Sequence, residues 1–292
     1  MPIAMERDLT ADEFKKYHDL IYKIAGIHYP TEKLELLSNR IRRRLRATND
    51  PSFLSYLARI TQPRHADEQQ AFLDSITTNE TYFFRCQAHW DHFRGWLTER
   101  KKDPALQRNG LRLWSAAASN GAEACTMLIV LHQVFGDDFG GMKVEILGTD
   151  LSTAILAEAQ QATFRQYALS QTPKDVVARY FRHDKDSDKY EFDRGLLRNV
   201  RFERHNLMDR LATRAPFDAV FLRNVMIYFD KKSREHVLSQ TAAVMRPGGL
   251  LIVGESESLL SVAHDFDYVK PSIFVKPAAG AAPKPRPTAA RT

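Results

Sequence analysis

Residues 111–123 read Leu-Arg-Leu-Trp-Ser-Ala-Ala-Ala-Ser-Asn-Gly-Ala-Glu, and this stretch decides the fold. A short β-rich run is followed by a turn of small residues that opens a helix. Further β-rich runs alternate with helical patterns towards the C-terminus, which is typical of a parallel sheet with crossover helices. These runs are Val144–Leu147, Val200–Phe202, Ala219–Leu222 and Leu250–Val253. The sequence therefore predicts an α/β domain over residues 111–276.

Three segments after residue 111 depart from this alternation. The last β-rich run, Ser272–Val275, follows a segment too short for a crossover helix, so we expect it to pair antiparallel. Residues 183–189 are highly charged and precede Tyr190-Glu191-Phe192, which predicts a loop or small β hairpin inserted at about residues 180–199. The Ala/Pro-rich tail, residues 277–292, has almost nothing to bury and is expected to be disordered.

The first 76 residues show helical patterns instead. A second helix start is marked by Asp50-Pro51-Ser52. Apolar residues recur before it at helical spacing, at Leu34, Leu37, Ile41 and Leu45. We expect a small all-helical domain over residues 1–76 and a linker over residues 77–110.

The composition restricts the class of protein. The chain has 292 residues, of which 43% are hydrophobic, so it can bury a full core. Cys86 and Cys125 have neither metal-binding nor disulfide spacing, and no apolar run approaches the roughly 20 residues of a membrane helix. Met1–Thr10 lacks the pattern of a signal peptide. We therefore expect a cytoplasmic protein that holds no metal and is not inserted in a membrane.

The formal charge of +6 favours an acidic partner, which could be nucleic acid, an anionic membrane surface or an acidic protein. The sign of the charge does not choose among these three. Much of the positive charge lies in one short segment, at Arg40, Arg42, Arg43, Arg44 and Arg46.

Acidic residues stand near the ends of the first two predicted strands. Glu123 could pair with an α-amino group, or it could be an ordinary first-turn acid favoured by the helix dipole. Asp150 could accept hydrogen bonds from both hydroxyls of a ribose, or it could cap the helix that begins near Ser152. Because the chain lacks a phosphate-binding glycine pattern, the two carboxylates together suit S-adenosylmethionine (SAM) better than a dinucleotide.

Two further segments combine polar and aromatic residues. Thr77–Arg85 has a composition that a linker does not need, although a helix cap at Thr78 or Asn79 would also account for it. Phe217–Phe229 is an apolar strand that ends in Arg-Asn before an aromatic turn. Methylases of amino groups in nucleic acids commonly carry an Asn/Asp-Pro-Pro-aromatic segment here, and this chain has none.

Taken in order, these segments resemble the CheR family of chemotaxis receptor methyltransferases. His205-Asn206-Leu207 and Arg246-Pro247-Gly248-Gly249 add to the match. The resemblance implies a small all-helical N-terminal domain and a Rossmann-like, seven-stranded SAM-dependent methyltransferase domain with a small β insertion. It further implies a protein-glutamate O-methyltransferase that transfers the methyl group of SAM to glutamates in the acidic cytoplasmic helical bundle of chemotaxis receptors, leaving S-adenosylhomocysteine.

The resemblance also implies individual roles. Arg85 and Tyr228 would lie nearest the transferred methyl group. The residues expected to bind SAM, some of them in the linker, are Asn79, Thr81, Arg85, Glu123, Asp150, Asn206, Leu207, Arg223 and Asn224. Many relatives have two adjacent glutamates where this chain has Ala122-Glu123, so only Glu123 can supply that acid here.

The chemistry of a glutamate acceptor fits these residues. A carboxyl group with a reference pKa of about 4.3 is ionised near neutral pH, so it attacks without a general base. Arg85 and Tyr228 can both donate hydrogen bonds to carboxylate oxygens. Catalysis then consists of desolvating the carboxylate and orienting it against the methyl group.

The helix that carries Arg40, Arg42, Arg43, Arg44 and Arg46, here called the basic helix, is expected to face the receptor. With its apolar residues towards the core, Arg42, Arg43 and Arg46 should project on the opposite face, with Arg40 and Arg44 on its flank. The resemblance favours receptor docking over a merely solvated basic face. Two other hypotheses are that the chain is a nucleic-acid methyltransferase or that it is a SAM-binding regulatory module without turnover. We expect a monomer without a nucleic-acid partner.

In some members of the family the small β subdomain binds an aromatic-acidic peptide from the receptor C-terminus through a glycine-rich turn. Residues 183–189 contain three aspartates and no glycine. Glycine permits the close backbone approach that an added peptide strand needs. The sequence therefore predicts that this chain does not depend on such a peptide.

Overall fold

The computed structural model describes residues 7–278, and it confirms a helical N-terminal domain joined to a Rossmann-like α/β domain. The helices of the N-terminal domain are α1 (Ala11–Ala25), α2 (Leu34–Thr48), α3 (Phe53–Ile60) and α4 (Ala66–Ile76). A 3-10 turn, Thr31–Lys33, leads into α2. Among residues 7–278, no helix combines the length and the apolar character needed to cross a membrane.

Local capping explains where these helices begin. The Thr10 side chain accepts a hydrogen bond from the Glu13 amide, and the Glu13 carboxylate accepts one from the Thr10 amide, so α1 starts with a capping box. Ser52 caps α3 in the same way through Ser55, as the predicted helix start at Asp50-Pro51-Ser52 requires. The apolar face of α2 is fully buried at Leu37, Ile41 and Leu45, and Leu34 is half-buried against the same core.

The main sheet has seven strands, which are β1 (Leu111–Ala116), β2 (Val144–Asp150), β6 (Val200–Arg204), β7 (Phe217–Leu222), β8 (Met245–Val253), β9 (Asp267–Lys270) and β10 (Ile273–Val275). Their order in the sheet is β6-β2-β1-β7-β8-β10-β9. The first five are parallel to one another, and β10 pairs antiparallel with β8, as predicted. No strand was predicted at β9, whose residues 268–270 are all exposed and show no alternation.

Helices cover both faces of the sheet. The helices of the α/β region are α5 (Gln87–Lys101), α6 (Pro104–Asn109), α7 (Ala122–Phe135), α8 (Thr153–Gln161), α9 (Lys174–Tyr180), α10 (Arg194–Leu197) and α11 (Lys231–Val244). Helix α7 is buried on nearly all sides, because it lies between the sheet and α5.

The segment expected to be a linker, residues 77–110, contains α5 and α6 and differs from that expectation. Trp90 stacks on Phe221 of β7 at 5.2 Å between ring centroids, and Phe93 meets the same ring edge to face at 5.1 Å. Trp90, Phe93 and Leu97 are buried at helical spacing. The hydrophobic effect therefore makes α5 part of the core of the α/β domain.

The small β insertion is a separate three-stranded antiparallel sheet. Its hairpin consists of β4 (Phe181–Asp184) and β5 (Lys189–Phe192), inside the predicted range of about 180–199. The third strand, β3 (Thr163–Arg165), pairs with β5 and lies outside that range. Most of the tail expected to be disordered, residues 279–292, lies outside the described residues.

Candidate functional site

One pocket lies between the N-terminal domain and the carboxyl ends of β1, β2, β6 and β7, where open α/β sheets bind their ligands. It is lined by all ten residues expected to bind SAM or to lie near the methyl group, namely Asn79, Thr81, Arg85, Glu123, Asp150, Asn206, Leu207, Arg223, Asn224 and Tyr228. The N-terminal domain supplies the facing wall, with Ala25, Ile27, His28, Tyr29, Pro30, Lys33, Leu36 and Ile76.

The turn after β1 brings backbone close to the pocket. Ala117 and Ser119 have φ angles of 71° and 51°, in the left-handed region that residues with a side chain rarely adopt. Gly121 has φ 85°, and a Cβ there would lie 2.9 Å from the Phe202 ring. Glycine at position 121 is therefore required both by the conformation of this turn and by its packing against β6.

Glu123 and Arg223 form a buried ion pair at the centre of the pocket wall, with 2.8 Å between Arg223 Nη1 and Glu123 Oε2. Ser115 Oγ donates a hydrogen bond of 2.7 Å to the other carboxylate oxygen. Burial raises the pKa of Glu123 above its usual range, although Arg223 opposes the shift. A pair of opposite charges, rather than a lone first-turn acid, is thus presented to the pocket.

The guanidinium of Arg223 is held by α5 and the segment before it. Its Nε lies 3.1 Å from Nδ1 of His89, and its Nη2 donates to the backbone carbonyl of Arg85. Burial and the nearby Arg223 charge lower the pKa of His89 to about 4, so this imidazole is neutral near pH 7 and accepts the hydrogen bond. The sequence reasoning missed His89, because nothing in its local pattern distinguishes it from a core histidine.

Asp150 ends β2 with both carboxylate oxygens fixed by backbone amides. Oδ2 accepts from the Ser119 amide and Oδ1 from the Ser152 amide, each at 3.0 Å. Burial raises the pKa of Asp150, while these amides oppose the shift. The N-cap of α8 is Ser152, whose Oγ accepts from the Ile155 amide, so Asp150 does not fill the capping role.

The loop after β7 is shaped by a residue that the sequence reasoning missed. Glu257 is buried, and its carboxylate accepts hydrogen bonds from the amides of Asn224, Ile227 and Gly254. Asn224 has φ 58° and follows Arg223 directly. Glu257 therefore fixes the turn that leads to Tyr228.

Tyr228 is positioned by the N-terminal domain. The His28 amide donates a hydrogen bond of 2.8 Å to the Tyr228 carbonyl, and Ile27 forms a β-bridge with Phe229. The Nζ atom of Lys33 lies 6.0 Å from the centroid of the Tyr228 ring. These contacts place the side chain of Tyr228 at the junction of the two domains.

Arg85 has few internal contacts by comparison. Its Nη1 donates a hydrogen bond of 3.2 Å to the Glu80 carbonyl, and its guanidinium carbon lies 5.6 Å from the centroid of the Tyr82 ring. The side chain is half-buried in the pocket wall. Most of its donors therefore remain available to a ligand.

Further hydrogen bonds join the two domains. Asn206 donates from Nδ2 to the Ile24 carbonyl at 2.7 Å and accepts from the Met208 amide at 3.1 Å. In α4, Asp74 accepts hydrogen bonds from the amide and the hydroxyl of Thr153 at the start of α8. Neither contact could be read from the sequence, because the partners are far apart along the chain.

Comparison with known protein families identifies the family of this two-domain chain. The model of the CheR methyltransferase all-alpha domain matches residues 12–77, and the model of the CheR methyltransferase SAM binding domain matches residues 79–275. The chain belongs to the CheR methyltransferase family. The first match ends at residue 77 and the second begins at residue 79, just after the end of α4, so the CheR SAM binding domain includes α5 and α6.

Curated relatives agree with this assignment. The chain is 34% identical over 267 residues to a chemotaxis protein methyltransferase of Klebsiella aerogenes, covering 90% of this chain and 89% of the relative. It is 35% identical to the Escherichia coli K12 chemotaxis protein methyltransferase, covering 88% of both chains. A Pseudomonas aeruginosa relative, chemotaxis protein methyltransferase 2, is 32% identical and covers 87% of this chain and 89% of its own. The chain is therefore a SAM-dependent methyltransferase of the chemotaxis type.

The polar groups of the CheR pocket fit SAM. The cofactor carries a ribose diol and an amino-acid group with one positive and one negative charge. A fixed carboxylate at Asp150 suits the diol, since it accepts hydrogen bonds. The ion pair of Glu123 and Arg223 presents both charges that an amino-acid zwitterion requires.

The basic helix of this CheR chain differs in part from expectation. Arg43 and Arg46 are exposed, as predicted. Arg42 is half-buried, because residues 7–9 pack over α2 and it bonds to the Arg7 carbonyl and to Asp8. Arg44 pairs with Glu68, and Arg40 bonds to Tyr29, Thr78 and the Ile76 carbonyl. Three of the five arginines therefore bind within their own domain.

Proposed function

We propose that this chain is a protein-glutamate O-methyltransferase, which methylates side-chain carboxylates in the acidic cytoplasmic helical bundle of chemotaxis receptors. The supporting observation is that residues suited to the acceptor and residues suited to SAM line the same pocket. Arg85 and Tyr228, which can bind an acceptor carboxylate, line the same cavity as Glu123 and Asp150, which suit SAM.

On the cofactor side, Asp150 would bind the ribose hydroxyls. Glu123 would bind the α-ammonium group, and Arg223 the α-carboxylate. Because Glu123 and Arg223 are already paired in a buried position, little reorganisation is needed when the zwitterion binds. Asn79, Thr81, Asn206, Leu207 and Asn224 would complete the cofactor-binding wall.

On the acceptor side, the reaction needs positioning more than proton transfer. A glutamate carboxylate is already ionised near neutral pH. Arg85 and the Tyr228 hydroxyl would donate hydrogen bonds to one carboxylate oxygen and leave the other oxygen free to attack. SAM supplies an activated methyl group, so that one O–C bond forms while the C–S bond breaks and its electron pair stays on sulfur, giving S-adenosylhomocysteine.

The acceptor would dock on the basic face of α2. Arg43 and Arg46 are free to meet receptor carboxylates, whereas Arg40, Arg42 and Arg44 support the helix that carries them. Such a patch raises the association rate with an acidic partner, and salt weakens the effect.

The deciding experiment is incubation with radiolabelled SAM and either receptor-containing membranes or nucleic acid. We expect label on the receptor that is released by mild alkali, as a carboxyl ester requires. Label on nucleic acid would favour the hypothesis that the chain is a nucleic-acid methyltransferase. Cofactor binding with no transfer to either acceptor would favour a regulatory module.

A further inference from the structure

Arg223 is held at every nitrogen of its guanidinium. Nη1 pairs with Glu123, Nε donates to Nδ1 of His89 at 3.1 Å, and Nη2 donates to the backbone carbonyl of Arg85. Only 3% of the Arg223 side chain is exposed. Within residues 7–278 these contacts leave some of its N–H donors unused, and Arg223 lines the pocket. Its orientation therefore decides where a ligand carboxylate can bind.

Two consecutive residues of α5 set that orientation. His89 accepts from the edge of the guanidinium, and the guanidinium carbon lies 5.5 Å from the centroid of the Trp90 ring. The His89 imidazole is neutral near pH 7, so Nδ1 accepts while Nε2 carries the hydrogen. His89 is buried and lies outside the pocket lining, whereas Glu123 would share its carboxylate with a bound ammonium group. His89 is therefore a side-chain partner of Arg223 for which no ligand competes.

The backbone at Arg85 depends on the same guanidinium. Phe84 and Cys86, on either side of Arg85, have φ angles of 56° and 61°, in the left-handed region that residues with a side chain rarely adopt. Such a backbone persists only where its surroundings hold it. The Arg85 carbonyl accepts hydrogen bonds from Arg223 Nη2 and, at 3.1 Å, from Nε1 of Trp90. The position of Arg85 is therefore tied to that of Arg223.

We propose that His89 is a positioning residue for both substrates of the methyl transfer. Through Arg223 it aligns the α-carboxylate of the cofactor, and through the Arg85 carbonyl it aligns the guanidinium that meets the acceptor. This inference rests on the proposed function and adds to it a residue that touches neither substrate. Loss of the hydrogen bond at His89 should therefore weaken SAM binding and also slow transfer when SAM is saturating.

The test compares His89→Leu with His89→Asn in calorimetry with SAM and in methylation of receptor membranes. Leucine has no hydrogen-bond acceptor, whereas the amide oxygen of asparagine stands on Cγ, as Nδ1 of histidine does. We expect His89→Leu to raise the dissociation constant for SAM and to lower kcat at saturating SAM, each roughly tenfold. His89→Asn should recover most of both. His92→Leu, at a half-buried histidine of α5, is the matched control and should behave as the unmodified chain.

Thermal unfolding separates positioning from packing. At a buried site an amide costs more stability than leucine does, so His89→Leu should melt at or above the temperature of His89→Asn. The order of activity should be the reverse of this order of stability. If His89→Leu does not fold, His89→Phe, which also has no acceptor, takes its place.

The variant Arg85→Ala tests the route to the acceptor, because it loses the guanidinium and keeps the backbone carbonyl. In this background His89→Leu should still weaken SAM binding but should lower kcat no further. A fall in kcat as large as in the unmodified background would show that Arg85 does not carry the effect.

The outcomes distinguish this inference from the proposed function. Equal SAM affinity and kcat in His89→Leu and the unmodified chain would overturn the inference, and so would equal losses in His89→Leu and His89→Asn. In both cases the unmodified chain would still label receptor membranes. If the unmodified chain labels no receptor, the proposed function fails, whereas calorimetry still decides whether His89 positions Arg223 for SAM.

Discussion

Arg223 and Glu123 face each other at 2.8 Å, from the end of β7 and the first turn of α7. The contact joins two loops that are distant in sequence and adjacent at the edge of the sheet. Because both side chains are buried, each charge depends on the other for compensation. The pair therefore fixes the relative position of the two loops that line the pocket.

We expect Glu123→Gln to weaken SAM binding by about 1.5 to 3 kcal/mol, because a charged hydrogen-bond acceptor is lost and Arg223 is left without its partner. Isothermal titration calorimetry measures the change. Glu145→Gln is the matched control, since Glu145 pairs with Arg112 on a partly exposed surface away from the pocket. Equal affinities of the two variants would show that Glu123 does not bind the cofactor.

Asp150→Asn should weaken SAM binding while retaining the fold. The amide keeps one oxygen for the hydrogen bonds from backbone amides but loses the negative charge that suits a ribose diol. We expect a loss of about tenfold or more. The same calorimetry decides it, with circular dichroism as the check on folding. An unchanged dissociation constant in a folded variant would remove Asp150 from the site.

Tyr228→Phe should lower kcat and leave the affinity for SAM unchanged, because only the hydroxyl that we propose to position the acceptor is lost. A positioned hydrogen bond of this kind is worth about 1.5 to 3 kcal/mol when it meets a charge, or roughly tenfold or more in rate. Tyr268→Phe, at an exposed tyrosine of β9, is the control. A variant as fast as the unmodified chain in receptor methylation would leave Tyr228 without a role in turnover.

Glu13→Gln should make stability less dependent on pH. The Arg7 guanidinium lowers the pKa of Glu13 to about 2, against an unfolded value of 4.5. A lowered carboxyl pKa stabilises the fold above pH 4.5, and this contribution is lost as the pH falls towards 2. Since 40% of the Arg7 side chain is exposed, we expect the Glu13 carboxylate to contribute about 1 to 2 kcal/mol to the free energy of unfolding at pH 7.

Urea unfolding of both proteins at pH 7 and pH 3 measures this difference. The gap in free energy of unfolding should be larger at pH 7. A gap that is constant between the two pH values would mean that the ion pair with Arg7 does not set the pKa of Glu13.

The β insertion should not bind an aromatic-acidic peptide at micromolar concentration. Its turn carries Asp184, Asp186 and Asp188, and Asp188 itself occupies the left-handed region with φ 51°. These carboxylates repel an acidic peptide, although Lys185 and Lys189 partly offset them. Titration of such a peptide followed by fluorescence polarisation checks this, and saturable micromolar binding would contradict it.

Periodicity and strand ends were enough to predict the two-domain fold and six of the seven strands of the central sheet. Trp114 through Glu123 and Phe217 through Tyr228 carry local patterns, because a strand and the turn after it are adjacent in sequence. Strand β9 was missed because its exposed residues do not alternate. Helix α5 was missed although Trp90, Phe93 and Leu97 recur at helical spacing.

The contacts that organise the site were harder to predict. His89, Glu257 and Asp74 act through partners that lie far away in sequence, so no local pattern marks them. The same limit applied to the basic helix. Spacing indicated which face Arg42 occupies, but it could not show that residues 7–9 cover that part of the helix.

The pocket has one wall on each domain, and this makes domain contact and ligand binding mutually dependent. A ligand that fills the pocket bridges His28 and Tyr29 on one side with Asp150 and Arg223 on the other. By thermodynamic reciprocity, a bound cofactor strengthens the contact between the domains to the same extent that the contact strengthens cofactor binding. Any change that loosens the contact between the two domains should therefore lower the affinity for the cofactor.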